Sequence, residues 1–230
     1  MINFIPSTRL FTFLLLLGTL TLSSCAKKDE VVQETSVLRY INASPTLGTF
    51  NIYANTIRLN TAAIPFGGGV SYAQYVSGLQ SIVYTTASDT QPLLTKQITL
   101  ANGKGYTLYL IDKNDKLDAL LVTDEMPTST STKSFVKFYN LSPDAPALNL
   151  DISDGSNLVK DKTYKTGSDF VTLDAKTYTF QIKDASTGTV KATLTDVDIA
   201  AGRYYTIIAR GLLTPGANDQ PFSGQSIINN

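Results

Sequence analysis

The 230-residue sequence contains no histidine, no tryptophan and a single cysteine, Cys25. Without histidine, the chain has neither a Ser-His-Asp triad nor an imidazole base that titrates near neutral pH. Without a second cysteine it forms no internal disulfide, and zinc or copper sites built from histidine and cysteine are excluded. Stability must therefore come from packing, and any catalysis would have to rely on carboxylates.

The chain also lacks an excess of charge of either sign. It has 19 Lys and Arg against 19 Asp and Glu, and no basic block occurs along the sequence. A nucleic-acid-binding protein usually carries a basic face, so this balance argues against a nucleic-acid partner. Tyrosine and phenylalanine are the only aromatic residues, and they supply large side chains for a β-rich core.

The first 24 residues have the layout of a secretory signal. Arg9 is their only charged side chain, and an apolar run over residues 10–22 follows it. That run is shorter than the roughly 20 apolar residues that a membrane span needs. The sequence then continues as Leu22-Ser23-Ser24-Cys25, which resembles the lipobox of bacterial lipoproteins. The resemblance implies acylation of Cys25, and the alternative is an ordinary signal peptide with an incidental cysteine.

A short charged segment follows the cysteine. Lys28-Asp29-Glu30 resembles the tag with which some Gram-negative bacteria send lipoproteins to the outer face of the outer membrane. A merely solvated tether is the alternative, because residues 25–36 are polar and lack periodicity, which is typical of a flexible tether. We therefore expect a protein that is lipid-anchored in the outer membrane and faces the cell exterior.

The rest of the chain contains an internal duplication. Residues 37–45 align with residues 135–143, with matching apolar character at nearly every position and identical Asn, Ser and Pro. At nearly the same spacing, residues 103–108 align with residues 202–207. Ordered matches at so constant a spacing indicate two copies of one unit.

A Ser/Thr-rich stretch with one proline, residues 126–133, separates the copies and indicates a linker with some freedom. We predict one domain at residues 37–125 and another at 134–230. Short β-branched and aromatic runs bounded by Asn-Gly, Asp-Gly and Thr-Gly pairs indicate strands, and no segment after residues 1–24 keeps a helical apolar period. The expected fold is all-β, with two tandem immunoglobulin-like β-sandwich domains after a lipoprotein signal peptide.

The strands that this pattern predicts are at residues 39–42, 51–54, 81–86, 107–111, 171–173, 177–183, 190–197 and 204–209. Residues 113–116 are predicted to form a hairpin turn, and Gly67-Gly68-Gly69 a flexible bend between strands.

The motifs of both copies resemble domain of unknown function 4397, which occurs in bacterial secreted and surface proteins. Residues 141–146, Leu-Ser-Pro-Asp-Ala-Pro, nearly match its Ala-Ser-Pro-Asp-Ala-Pro motif, and residues 43–45 are a shortened version with Thr46 in place of Asp. Its other motifs are at residues 65–67, 176–179 and 201–206. The resemblance covers most of residues 37–212 and implies an extracytoplasmic β-sandwich, without assigning an activity.

Carboxylates are the remaining candidates for chemistry. Asp144, Asp151 and Asp154 lie close together in sequence, and a glycosidase needs two carboxyls that face one cleft. Residues 151–157 also place oxygen atoms at alternate positions, so Asp151 and Asp154 are calcium candidates. Asx turns explain both patterns equally well. We expect no catalytic residue and no cofactor.

Recurring asparagines and the tyrosines leave two interpretations open. Asn42 and Asn140 recur in the two copies, either to contact a ligand or to satisfy backbone groups at a strand end. Four tyrosines are candidates for a sugar-binding face, although tyrosine is also an ordinary half-buried strand residue. They are Tyr72, Tyr75, Tyr84 and Tyr164.

The leading functional hypothesis is a non-enzymatic surface lipoprotein whose β-sandwiches act as interaction or adhesion modules. Its expected partners are the membrane, through the N-terminal lipid, and a protein or glycan at the cell surface, bound through loops or a strand edge. The first alternative is a glycan-binding accessory of a polysaccharide-uptake system. The second is a carboxylate-dependent hydrolase.

Overall fold

The computed structural model describes residues 33–128 and 132–229. Cys25 and the tag Lys28, Asp29 and Glu30 lie outside these residues, so acylation and export stay predictions. Within the described residues, the chain forms sixteen strands in four four-stranded sheets and a single short 3-10 turn. None of the helical structure in this part of the chain could cross a membrane. The predicted all-β fold class is confirmed.

The first eight strands are β1 Thr35–Asn42, β2 Phe50–Ala54, β3 Ile57–Arg58, β4 Gly69–Val76, β5 Gly78–Thr86, β6 Leu94–Leu100, β7 Gly105–Ile111 and β8 Asp118–Thr123. The other eight are β9 Lys133–Asn140, β10 Leu148–Ile152, β11 Asn157–Lys162, β12 Val171–Asp174, β13 Lys176–Asp184, β14 Val190–Ile199, β15 Tyr204–Arg210 and β16 Ser223–Asn229.

The first eight strands form one β-sandwich. The sheet with strand order β4-β1-β7-β8 packs on the sheet with order β3-β2-β5-β6. Leu38 and Tyr40 of β1 and Ile82 and Tyr84 of β5 are completely buried between the sheets. Each pair is separated by one residue, which is the spacing that places side chains on the same face of a strand.

Strands β9 to β16 form a second sandwich with the same plan. Its sheets have the orders β12-β9-β15-β16 and β11-β10-β13-β14. In the first sandwich β1 pairs in parallel with β7, and in the second β9 pairs in parallel with β15. Phe138 of β9 and Phe180 and Ile182 of β13 are completely buried in this core.

The predicted strand segments all lie within observed strands, and the predicted hairpin turn at residues 113–116 contains the 3-10 turn Asn114–Lys116. Two boundaries differ from the prediction. The strand β1 begins before residue 37, and β9 begins inside the predicted linker at Lys133. Each sandwich has eight strands, and the sequence pattern missed several of the edge strands.

The two sandwiches pack directly on each other. Their contact buries a third apolar cluster that includes Tyr109 and Ile111 of β7, Leu141 after β9, and Ile208 of β15. This differs from the freedom that the linker indicated, because apolar side chains of both sandwiches lose contact with water only when the sandwiches stay together.

The predicted bend at Gly67-Gly68-Gly69 belongs to the same contact. The Arg210 guanidinium lies 4.0 Å from the centroid of the Phe66 ring, and the Gln225 Nε2 donates to the Gly67 carbonyl at 2.9 Å. Gly67 has a φ of 80°, and a Cβ there would overlap the Arg210 guanidinium. Glycine at this position therefore lets β15 and β16 of the second sandwich approach the first.

Candidate functional site

A buried polar cluster joins the sandwiches. Lys137 Nζ of β9 donates to Asp124 Oδ1 at 2.7 Å, and the two side chains are only 3% and 0% exposed. Arg39 of β1, in the first sandwich, binds to the second sandwich: its Nη2 donates to Asn229 Oδ1 at 2.9 Å and its Nη1 to the Ile228 carbonyl at 2.8 Å. In both cases the cation comes from one sandwich and its acceptor from the other.

Each sandwich contributes an equivalent set of three residues to this cluster: a cation, a threonine and an acceptor. Thr107 Oγ1 donates to Asp124 Oδ2 at 2.6 Å, and Thr206 Oγ1 donates to Asn229 Oδ1 at 3.0 Å. In the first sandwich Arg39 lies opposite Thr107 in the parallel pair of β1 and β7. In the second sandwich Lys137 lies opposite Thr206 in the parallel pair of β9 and β15. The acceptor is the Asp124 carboxylate in the first sandwich and the Asn229 amide in the second. The described part of the cluster therefore pairs two cations with one carboxylate.

Burial dominates the electrostatics of the cluster. It lowers the pKa of the Lys137 ammonium, although the Asp124 carboxylate opposes this change. Tyr72 donates its hydroxyl to Asp124 Oδ2 at 2.7 Å, and burial together with that carboxylate raises the pKa of Tyr72. A buried charge that loses its partner costs several kcal/mol. These contacts therefore favour one fixed arrangement of the sandwiches.

An open cleft of about 710 Å³ adjoins the cluster. The first sandwich lines it with Leu120 and Val122 of β8, followed by Met126, and the second lines it with Gly167–Phe170. Lys137 belongs to both the cluster and the cleft. The lining therefore mixes apolar side chains with polar and charged ones, among them Glu125, Lys165 and Asp169.

The wall formed by β8 is an unpaired sheet edge, because β8 pairs only with β7. The Asp124 amide donates to the Gly105 carbonyl at 2.8 Å, and hydrogen-bonded pairs alternate along an antiparallel ladder. The amides of Leu121 and Thr123 therefore point away from β7 and have no strand partner in the described part of the chain. Such an edge is a template for another strand.

The predicted carboxylate Asp144 orders a loop of the second sandwich. Its Oδ1 accepts from the Leu213 amide and its Oδ2 from the Thr214 amide, both at 2.9 Å. Both carboxylate oxygens are thus occupied by backbone donors between β15 and β16, as in a structural turn.

The calcium candidates Asp151 and Asp154 each have partners within the second sandwich. Asp151 accepts from Lys183 Nζ at 2.9 Å and from Asn157 Nδ2 at 2.5 Å, and Asp154 Oδ1 accepts from the Ser156 amide at 2.8 Å. No metal-binding group of three or more Asp, Glu, His or Cys occurs in residues 33–128 or 132–229. Calcium binding at these residues stays a prediction.

The recurring asparagines have a structural role at the end of β1 and β9. Asn42 Oδ1 accepts from the Ser44 amide at 3.0 Å, and Asn140 Oδ1 accepts from the Ser142 amide at 3.1 Å. The two serine hydroxyls then donate to carbonyls just after β7 and β15, at 2.6 and 2.7 Å. The Ser-Pro motif therefore fastens the ends of the parallel strand pairs.

The structure does not bring the four tyrosines together as a sugar-binding face. Tyr84 is completely buried, Tyr72 is engaged by Asp124, and Tyr75 packs against a core tyrosine. Tyr164 lies in the other sandwich, where Lys165 covers its ring at 5.1 Å. The aromatic side chains that do line the cleft are Tyr139 and Phe170.

The model of the family described as Domain of unknown function (DUF4397) matches residues 36–151, about half of the chain. The chain belongs to this family. The DUF4397 match runs through the first sandwich and into β9 and β10, so the family resemblance seen in the sequence is confirmed over that region. No curated protein matches the chain.

Three solved structures are distantly similar to the chain. The chain is 14% identical to the Bacillus anthracis TIE protein, with 78% of this chain and 34% of that one covered and a TM-score of 0.25. It is 11% identical to CBMbc, of family CBM26, from Eubacterium rectale Amy13K, with 85% and 96% covered and a TM-score of 0.24. For a putative cell adhesion protein from Parabacteroides distasonis the identity is 7%, the coverage 86% and 100%, and the TM-score 0.22. At these TM-scores, none of the three carries an argument about this chain.

Proposed function

We propose that the protein is a non-enzymatic surface lipoprotein, anchored in the outer membrane through Cys25, that binds an extended segment of a protein partner. The unpaired edge of β8 in the open cleft is the observation that supports binding. An extended peptide that adds to such an edge gains main-chain hydrogen bonds, and its alternate side chains select their pockets. The outward amides of Leu121 and Thr123 are the donors that this mode requires.

The side chains around that edge suit a peptide with alternating apolar residues. Leu120 and Val122 lie on the side of β8 that faces the contact between the sandwiches, and Phe170 of the second sandwich also lines the cleft. The cleft is also lined by Glu125 and Lys165, which are of opposite charge. A partner strand would therefore meet both apolar and charged side chains, as in most protein interfaces.

The substitution Thr123→Pro tests strand addition. Proline removes an amide that points away from β7, so the β7–β8 ladder keeps its hydrogen bonds, and edge strands tolerate proline at such positions. Peptides are first selected from a display library against the full chain. We expect Thr123→Pro to weaken their affinity about three- to tenfold, since one net hydrogen bond contributes about 0.5–1.5 kcal/mol.

Thr123→Val is the matched control, because it keeps the amide and changes an exposed side chain at the end of β8. Hydrogen exchange provides a second readout: bound peptide should slow exchange of the Leu121 and Thr123 amides. Equal peptide affinities for Thr123→Pro and Thr123→Val, with unchanged exchange at both amides, would show that partners bind elsewhere.

The anchor is tested by Cys25→Ala. Each methylene of an acyl chain that enters the bilayer contributes about 0.8 kcal/mol, and stable anchoring needs more than one chain. We expect the expressed wild-type protein to enter the detergent phase in a phase-separation assay and Cys25→Ala to stay in the aqueous phase. Partition of Cys25→Ala into detergent would contradict anchoring through this cysteine.

A further inference from the structure

Three large exposed apolar side chains lie at the end of the first sandwich where β1 begins. We call Ile57, Val76 and Leu79 the entry face, and they are 69%, 46% and 69% exposed. Single exposed apolar residues are ordinary on a protein surface, whereas a group of them marks a site of interaction.

Hydrogen bonds place Val76 and Leu79 next to the start of the described chain. Val76 pairs with Thr35, the first residue of β1, and the Ser77 amide donates to the Glu34 carbonyl at 2.9 Å. Leu79 follows directly at the start of β5. The entry face therefore lies where the segment from Cys25 joins the first sandwich.

The third member of the entry face is tied to the same region. Gln80 Nε2 donates to the Val76 carbonyl at 2.8 Å, and Gln80 Oε1 accepts from Asn55 Nδ2 at 3.1 Å. Asn55 is in the turn before β3, to which Ile57 belongs, so this turn meets the start of β5. Neither Ile57 nor Leu79 contributes to any of the three buried cores.

We propose that the entry face rests on the lipid surface that holds the N-terminal anchor. This inference depends on the proposed acylation of Cys25. About ten residues separate Cys25 from Thr35, which is a reach of at most about 35 Å when extended and about 17 Å on average for a flexible chain. Attachment therefore keeps the entry face at high effective concentration near the bilayer.

The opposite end of the first sandwich offers a control position. Leu47, just after β1, is 59% exposed, close to the exposure of Leu79. Because β1 begins at Thr35 and ends at Asn42, Leu47 and the entry face lie at opposite ends of this strand. A membrane that contacts the entry face would leave Leu47 in water.

The absence of tryptophan from the sequence makes the contact measurable. Leu79→Trp and Leu47→Trp each introduce a single indole into the full-length acylated protein. The variants are reconstituted into phosphatidylethanolamine and phosphatidylglycerol vesicles that contain phosphatidylcholine with brominated acyl chains. We expect the indole at position 79 to show blue-shifted emission and strong bromine quenching, and the indole at position 47 to show neither. Ile57→Trp is an independent second reporter should Leu79→Trp fold poorly.

Vesicle flotation tests the anchor at Cys25 separately from the lipid contact of the entry face. Flotation of both variants with equal, weak quenching at positions 79 and 47 overturns the lipid contact and leaves the anchor intact. A blue shift at position 79 without bromine quenching also overturns it, because protein and not lipid then covers the entry face. Failure of the acylated protein to float at all contradicts the proposed anchor and, with it, this inference.

Discussion

Replacing Lys137 by alanine is expected to lower the free energy of unfolding by about 3–5 kcal/mol, the usual cost of breaking a buried ion pair. The substitution leaves the Asp124 carboxylate buried between the sandwiches, where the Thr107 and Tyr72 hydroxyls are its remaining donors among the described residues. Lys137 is nearly inaccessible to solvent, and water that enters from the adjoining cleft would not replace the positive charge of its ammonium. Urea unfolding followed by circular dichroism measures the loss.

Lys133→Ala is the matched control for this prediction. Lys133 lies on the same strand and forms an ion pair with Asp174 at 2.5 Å, but both side chains are largely exposed. Solvent-exposed ion pairs contribute little to stability, so we expect almost no change. A loss from Lys137→Ala that is no larger than that from Lys133→Ala would show that the buried pair does not hold the sandwiches together.

Tyr109→Ala is expected to lower the free energy of unfolding by about 3–5 kcal/mol, because it removes a large ring from a closed apolar contact. Tyr109 is completely buried in the apolar cluster between the sandwiches, and its ring centroid lies 6.3 Å from that of Tyr139 on the second sandwich. The contact cannot refill the space without shifting one sandwich against the other. Thermal or urea unfolding measures the change.

Tyr109→Phe distinguishes the contribution of the Tyr109 ring to stability from that of its hydroxyl. The Tyr109 hydroxyl is buried and has no hydrogen-bond partner among the described residues, and burial raises its pKa. An unpaired buried polar group is costly, so Tyr109→Phe should be as stable as the wild type or up to about 1 kcal/mol more stable. Loss of stability in Tyr109→Phe as large as in Tyr109→Ala would assign the effect to the hydroxyl and contradict the packing explanation.

The strands that the sequence predicts are mostly central strands, for a physical reason. Segments such as β7 and β15 are buried on both faces and consist of continuous apolar and β-branched runs. Of the observed strands that the predicted segments omit, β3, β4, β6, β8, β11 and β16 are sheet edges, and β9 and β10 are central. Edge strands are half exposed and carry polar residues and glycine, so they lack the pattern on which strand prediction depends.

The cleft and the buried cluster depend on the approach of two sandwiches, which no local pattern encodes. Nevertheless, one signal was present in the sequence. Arg39 and Lys137 occupy matching positions of the duplication, each flanked on both sides by apolar or aromatic residues, within residues 37–41 and 135–139. A cation in a strand that is buried on both faces needs a buried acceptor, so the duplicated cation pointed to a polar contact. Its partners Asp124 and Asn229 follow or end edge strands and carried no such signal.

For the three predicted aspartates, the sequence carries a signal, but the structure gives these residues local structural partners. Asp144, Asp151 and Asp154 are candidate site residues in the sequence because carboxylates near each other along the chain can share a site. In the structure their oxygens accept from nearby backbone amides or an ion-pair partner. Turn-forming and catalytic aspartates have the same sequence pattern, and only the position of the donors distinguishes them.

We propose that Cys25 attaches these sandwiches to a membrane, and mass spectrometry of the protein extracted from membranes tests that proposal. We expect a chain that begins at Cys25, lacks residues 1–24 and carries acyl groups on that cysteine. A chain that retains residues 1–24, or a mature chain in which the Cys25 thiol is free, would contradict it.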